Sequence, residues 1–377
     1  MKVLVNARFF GAPFRQAKFR FLLEKLLRLG DSTSLDSIYI ITDLADAEML
    51  ISKCEVPWKG KIHCTIVPEL RPNYWSLTFW FDFRLRSLFK KLKADVILHG
   101  DQFGSLTISG PQILTSDAIL KQHFTKLPAF HRWMLLKRWP EMVAKAKGII
   151  SWSDHNSQAL SASFPEITPR IFSFPLTPLS FIAPISWEEK QQGLKDRSQG
   201  VEYFLAIVEG DASSEQFMDL LKGFSWFKKR FQSNMKLLVC GPEKSKDLES
   251  VPLESYKYRN DVILSDSGRY LELLPASYAL VYMPSGNHIP LPITEAFQSG
   301  VPVMAVQDPI SREIAEDAVA WNSDPDPENW GKLMGELYKD EMFRKQLINK
   351  GYEKSEKMMI DARQDSFKMT IRTFAAL

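Results

Sequence analysis

The chain reads as an α/β protein made of two doubly wound domains that face each other across a cleft. Apolar runs of strand length recur along it with helix-length segments between them, and alternation of this kind implies parallel sheets with both faces covered. The recurrence stops in a proline-bearing, charged stretch near the middle and starts again after it. The length of 377 residues suits two domains of about 180 residues each.

The first strand is expected at residues 2–6, followed by a helix over about 14–29 in which Phe19, Leu22, Leu23, Leu26 and Leu27 share one face. Further strands are expected at SIYIIT (37–42), KIHCTIV (61–67), ADVILHG (94–100), PQILTS (111–116) and KGIISWS (147–153). From Phe172 to Gly200 three prolines and a charged tail replace any regular period, which places the connection between domains there. The alternation resumes with strands at 203–208, 236–241, 261–266, 279–284, 301–306 and 318–321. Helices are expected over about 215–231, 268–277 and 292–299, and helices finish the chain. The predicted boundaries are a first domain at 1–180, a linker at 181–200 and a second domain at 201–354, with a terminal helix over about 355–377 packing back on the first domain. No solenoid-type repeat is present.

Composition narrows the function classes. With 45% apolar, 25% charged and 12% aromatic residues the chain can bury full cores, which excludes a disordered or disulfide-scaffold protein. Cys54, Cys64 and Cys240 are scattered and form no CxxC pair, so neither a disulfide framework nor a zinc ribbon follows from them and a reducing cytoplasm is expected. MKVLVNARFF lacks the apolar core of a signal peptide and no long apolar run occurs, so a cytoplasmic protein, or one at the inner face of the membrane, is expected. Residues 1–180 carry a formal charge of +9 and the remainder −6. A basic first half suits an anionic partner such as a membrane surface or phosphorylated acceptor, and equally a solvated surface with none.

In an open parallel sheet ligands bind outside the carboxyl ends of the strands. The loops to search are therefore EGDASSE after 203–208, with Gly210, GPEKS after 236–241, with Gly241, and SGNHIPLP after 279–284. The last of these leads into ALVYMPSGNHIPLPITEAFQSGVPVMAV and then ISREIAEDAVAWNSDPDPENWGKL. This order of Pro-Ser, Leu-Pro before Glu-Ala, Ser-Gly-Val-Pro-Val and a later Arg-Glu-Ile resembles the nucleotide-sugar half of retaining glycosyltransferases of the GT-B fold, family 4 (group 1) in particular. NARFF, ADVILHGD, ILTSD and SWSDHNSQAL occur in the family's order in the first half.

The resemblance implies two Rossmann-like domains, a nucleotide-sugar donor on the second, and a saccharide or lipid-linked acceptor of the kind used in polysaccharide biosynthesis. It also implies transfer with retention and no cofactor or metal. Glu295, placed in the first turn of its helix, takes the family's ribose-binding role; the plainer reading is that it complements the helix dipole. Backbone amides at 291–293, including Leu291 and Pro292, are expected to face the diphosphate, although proline itself lacks a donor. Asn287 and His288 fall to the donor sugar, Ser285 and Gly210 to the donor loops, and Arg15 and Lys18 to the first domain's side of the cleft. His99 is expected to orient an acceptor or donor hydroxyl, or else to be a satisfied residue at a strand end.

Four motifs depart from the family. Asn287 stands eight residues before Glu295 where relatives have a second Glu; it bonds hydroxyls but carries no charge. Ser214 and Glu215 replace an Arg and a Lys, and Lys222, Lys228 and Lys229 nearby read as a solvated helix face. Arg15, Gln16, Ala17 and Lys18 replace a Gly-x-Gly-Arg loop, and Ser116 and Asp117 replace His-Asp. These departures leave open an inactive relative acting as a binding or scaffold subunit, and a GT-B enzyme of other chemistry such as a sugar-nucleotide epimerase. His63, His123, His131 and His155 show no paired spacing, so no bound metal is expected. The segment NYWSLTFWFDFRLRSLFKKLK (73–93) is aromatic and basic. It suits a membrane-surface or lipid-acceptor helix, or a helix with its aromatic face on the sheet and its basic residues outside. No nucleic-acid module is recognisable.

Overall fold

The structure, a computed structural model, describes residues 1–9, 15–27, 35–53, 61–70, 73–116, 129–174, 176, 182–208, 214–241, 253–266, 269–284, 289–323, 326–364 and 370–371. The chain divides into two compact units, residues 1–177 with 361–377, and residues 178–360. Each is a parallel sheet with helices between its strands.

In the first unit the strands are β1 (Lys2–Asn6), β2 (Ser37–Thr42), β3 (Ile62–Ile66), β4 (Val96–His99), β5 (Gln112–Ser116), β6 (Gly148–Ser151) and β7 (Ile171–Ser173). They pair in the order β3-β2-β1-β4-β5-β6-β7, all parallel. The central strands are buried along their whole length, as a sheet covered on both faces requires. β7 is a three-residue edge strand that begins where the sequence suggests only the start of an irregular connection.

Helix α1 (Arg15–Leu27) follows β1, and α2 (Ala47–Lys53) follows β2. Next, α3 (Tyr74–Phe79), capped by the Asn73 side chain, runs through a π-helical turn (Trp80–Arg84) into α4 (Leu85–Leu92). Trp80, Phe81 and Asp82 are all buried. A regular α-helix spreads three consecutive residues over more than half its circumference, and the wider π turn brings them inward together. The second long helix of this layer is α5 (Ala129–Lys145). Its Arg138 joins it to α3 and the π turn by an ion pair to Asp82 and a 2.7 Å hydrogen bond to Thr78. The other Asp82 carboxylate oxygen accepts from the Leu106 amide at 2.8 Å and the Ser105 hydroxyl at 3.2 Å. A buried carboxylate needs such a full set of partners. α6 (Asp154–Ser163), capped by Ser153, follows β6.

The segment expected as a linker contains α7 (Trp187–Ser198), opened by a capping box of Ser186 and Glu189. Arg197 donates to the Glu272 carbonyl at 2.6 Å, so this helix is part of the second unit's packing. The strands of that unit are β8 (Tyr203–Val208), β9 (Lys236–Gly241), β10 (Val262–Asp266), β11 (Ala279–Met283), β12 (Val303–Val306) and β13 (Val319–Asn322), in the order β10-β9-β8-β11-β12-β13. Its helices are α8 (Ser214–Phe231), α9 (Tyr270–Leu273), α10 (Leu291–Ser299), α11 (Pro309–Ala315), α12 (Pro327–Lys339) and all but the last four residues of α13 (Glu341–Gln364). The helix expected over 268–277 is cut to one turn, because Pro275 follows in a 3₁₀ turn. Lys228, expected on a solvated face, is instead buried and paired with Asp261 at 2.9 Å. No helix among the described residues is long and apolar enough to cross a membrane.

Helices α8 and α12 cross at Gly223 and Gly331. A Cβ on Gly331 would lie 2.8 Å from the Gly223 carbonyl oxygen, and one on Gly223 2.6 Å from that of Pro327. Backbone cannot swing aside, so Gly331→Ala must push the helices apart. The expected cost is about 1–3 kcal/mol, lowering Tm by roughly 2–4 °C per kcal/mol. Thermal melting followed by circular dichroism measures it, and an unchanged Tm would contradict this close crossing.

Candidate active site

The strand order of the second sheet reverses between β8 and β11. The registers Met283↔Val208 and Gly241↔Asp266 set the carboxyl ends of β11, β8, β9 and β10 along one edge. In a doubly wound sheet this reversal is where ligands bind. Gly241, the last residue of β9, is buried there. Gly210, Ser285, Asn287 and His288 lie outside the described residues. The chain re-enters at Ile289 and Pro290 and turns into α10, whose Leu291, Pro292 and Glu295 are all buried.

Glu295 is the fifth residue of α10, not a first-turn residue, and no acidic side chain occupies that turn. Helix side chains tilt back toward the N-terminus, which returns the carboxylate toward the carboxyl edge of the sheet. Its exposure is 0%, and the equally enclosed Tyr270 hydroxyl donates to Glu295 Oε2. Sequence reading passed over Tyr270, which sits 25 residues away with no local pattern linking the two.

The expected free amides at 291–293 are not found. Pro290, at φ −81° and ψ 61°, has the dihedrals of an inverse γ-turn, and the Leu291 amide donates to the Ile289 carbonyl at 2.9 Å. The Ile293 amide donates to the Pro290 carbonyl at 3.0 Å, and Pro292 has no donor. Two prolines around Leu291 thus tighten the first turn until it satisfies its own donors. The helix dipole remains.

In the first unit the reversal lies between β1 and β4, where Asn6 pairs with His99. Arg15 opens α1 and Lys18 follows one turn later, half-buried. His99 ends β4 as expected, but its ring is turned into the core and its exposure is 0%. The ring centroid lies 5.8 Å from that of Phe81. Nε2 lies 3.2 Å from Gln112 Oε1, and because the Gln112 amide nitrogen donates to the Ser105 carbonyl, the histidine is the donor at Nε2. Burial pushes its pKa down to about 4, so the ring is neutral near pH 7. Arg8 is similarly withdrawn, paired with Asp43 at 3.3 Å and lying 4.2 Å over the Trp80 ring.

Among the described residues, four buried polar atoms at this edge have no hydrogen-bond partner: Asn6 Nδ2, His99 Nδ1, and Oε1 and Nε2 of Gln102. Each such group costs about 1–3 kcal/mol unless water or a ligand meets it. Asn6 and Gln102 were missed in sequence; their signal was an uncharged amide one or a few residues past an apolar strand. Among the described residues no group of three or more His, Cys, Asp or Glu is placed to hold a metal ion.

Residues 197–354, the span that carries this second-unit site, match the model of the family described as glycosyl transferases group 1. The whole chain is similar in structure to HepE of Anabaena crystallised with UDP-glucose, with a TM-score of 0.75 over 100% of both chains and 11% identity. It is similar to a glycosyltransferase of Rickettsia africae, with a TM-score of 0.66 over 98% of each chain and 10% identity. For WaaG, a glycosyltransferase involved in lipopolysaccharide biosynthesis, the TM-score is 0.64 over 100% of this chain and 98% of that one, at 12% identity. The fold is therefore GT-B, with two Rossmann-like domains. No curated protein matches the sequence.

The enclosed His99 makes a pH prediction. Unfolded, the ring takes a proton near pH 6.5; folded, it resists one until about pH 4. Its contribution to stability is thus complete above about pH 6.5 and is lost as pH falls toward 4. Between those values the Tm of the native protein is expected to fall more steeply than that of His99→Gln, by calorimetry across that range. Parallel slopes would mean that the ring is not held neutral.

Proposed function

We propose that the protein is a glycosyltransferase that moves a sugar, with retention, from a nucleotide-sugar donor on the second domain to a saccharide or lipid-linked acceptor. The observation that carries the reading is Glu295, a buried carboxylate steadied by Tyr270 beside the strand reversal, within the span that matches the glycosyl transferases group 1 model. HepE, crystallised with UDP-glucose, supports a nucleotide-sugar donor.

In this reading Glu295 accepts hydrogen bonds from the ribose hydroxyls, and Tyr270 holds its carboxylate in one orientation. Gly241 and Gly210, without side chains, admit the nucleotide close to backbone. Ser285, Asn287 and His288 hold the sugar, and the N-terminal end of the α10 dipole favours the leaving diphosphate. The acceptor oxygen bonds the anomeric carbon on the face that the diphosphate oxygen leaves, and the acceptor proton passes to that oxygen. No carboxylate nucleophile takes part. Asn6 and Gln102 at the first sheet's edge offer polar atoms to acceptor hydroxyls.

A second reading is an inactive relative that binds a nucleotide sugar or a partner protein. The self-satisfied amides of Leu291 and Ile293 favour it, as does Asn287 in place of a carboxylate.

Calorimetric titration with UDP, GDP, ADP and TDP, and with their sugars, tests the donor assignment. One base is expected to bind, and Glu295→Gln to weaken it roughly 10- to 100-fold, the loss of hydrogen bonds to a charged group. Tyr270→Phe keeps the carboxylate and is expected to cost less. Native affinity in Glu295→Gln would remove the donor-site assignment. Binding without transfer or donor hydrolysis would select the second reading.

A further inference from the structure

We propose that the helix pair α3–α4 and α5 of the first unit is a docking surface for an anionic phospholipid membrane. This rests on the surface itself and not on the enzymatic reading. Tyr74 pairs with His131 across the two helices, with 3.4 Å between the Tyr74 amide and His131 Nδ1, while Thr78 and Asp82 both meet Arg138. The helices therefore run side by side in the same direction. The rows Leu77, Phe81, Leu85 and Leu135, Trp139, Met142 enter the core. Between these buried rows, Trp75, Phe79 and Phe83 of one helix and Phe130, Trp133 and Lys137 of the other are left exposed.

These exposed positions hold five large aromatic side chains: Trp75, Phe79, Phe83, Phe130 and Trp133, each 54% to 66% exposed. Phe79 stacks on Phe83 with ring centroids 5.9 Å apart, and Phe130 lies 6.4 Å from Trp133. The sequence of 73–93 suits an aromatic face either on the sheet or on a membrane. The structure divides it, burying Tyr74, Trp80 and Phe81 and exposing Trp75, Phe79 and Phe83. Exposed ring clusters on two adjoining helices are the kind of apolar surface that marks an interaction site.

Charge decides the occupant. The two helices carry Arg84, Arg86, Lys90, Lys91, Arg132, Lys137, Arg138 and Lys145 against only Asp82 and Glu141, and Asp82 is bound to Arg138. Arg84 lies 5.8 Å over the Phe79 ring and Lys137 5.5 Å over the Trp133 ring. Amphipathic aromatic rings ringed by cations match the boundary between acyl chains and anionic headgroups. A second copy of this basic face would be repelled, which disfavours self-association.

The test is cosedimentation of the full chain with vesicles of phosphatidylcholine alone and of equal parts phosphatidylcholine and phosphatidylglycerol. Binding to the anionic vesicles is expected to exceed binding to the neutral ones about a hundredfold and to weaken in molar sodium chloride. The triple variant Phe79→Ser, Phe83→Ser, Trp133→Ser removes exposed rings only, so an unchanged melting curve with lost binding is expected. Charge reversal by Arg86→Glu with Lys137→Glu provides a second variant with intact rings and the same expected loss. Three results would overturn the proposal: no preference for anionic vesicles, native binding by both variants, or a concentration-dependent dimer that the triple variant abolishes.

Discussion

A parallel strand can be followed by another in the same sheet only if the chain crosses back over a face, and that crossover is right-handed. Both sheets grow outward from β1 or β8 in one direction and then in the other. Every strand therefore delivers its carboxyl end to one edge, and at the reversal two loops leave in opposite directions. The candidate site residues stand at those two places: Asn6 opposite His99 in one sheet, and the turn into α10 beyond Met283 and Val208 in the other.

Around this frame four enclosed charged side chains among the described residues take a partner from another element. Asp82 binds Arg138, Arg8 binds Asp43, Lys228 binds Asp261, and Glu295 takes the Tyr270 hydroxyl. Removing one member of such a pair leaves a buried charge uncompensated and costs more than the pair contributes. The pairs thus act as locks on position. Asp82 is held inside the π turn, beside buried Trp80 and Phe81 and exposed Phe83. Tyr270 fixes the carboxylate that the proposed donor site depends on.

The turn into α10 has a different logic. Proline on each side of Leu291 shapes an inverse γ-turn that consumes the first amides of the helix, so an anion there meets the dipole and not a ring of free donors. Whatever binds at this edge has to be held by side chains and by the loops around it. That places more weight on Glu295 than the helix N-terminus alone would suggest.

Sequence by itself determined the layers. Strands at 2–6, 37–42, 203–208 and 236–241 coincide with their apolar runs, because a residue buried on both faces of a sheet must be apolar whatever it touches. The helix around Glu295 and the family's motif order were legible for the same local reason. Tertiary structure decided what depends on partners far along the chain. The inward turn of the His99 ring follows from Gln112 and Phe81, the burial of Lys228 from Asp261, and the orientation of Glu295 from Tyr270. The helix at 187–198 lacks a strong apolar stripe and is carried by its capping box and its packing. Periodicity reports whether a residue is buried; which distant side chain meets it is set only when the elements pack.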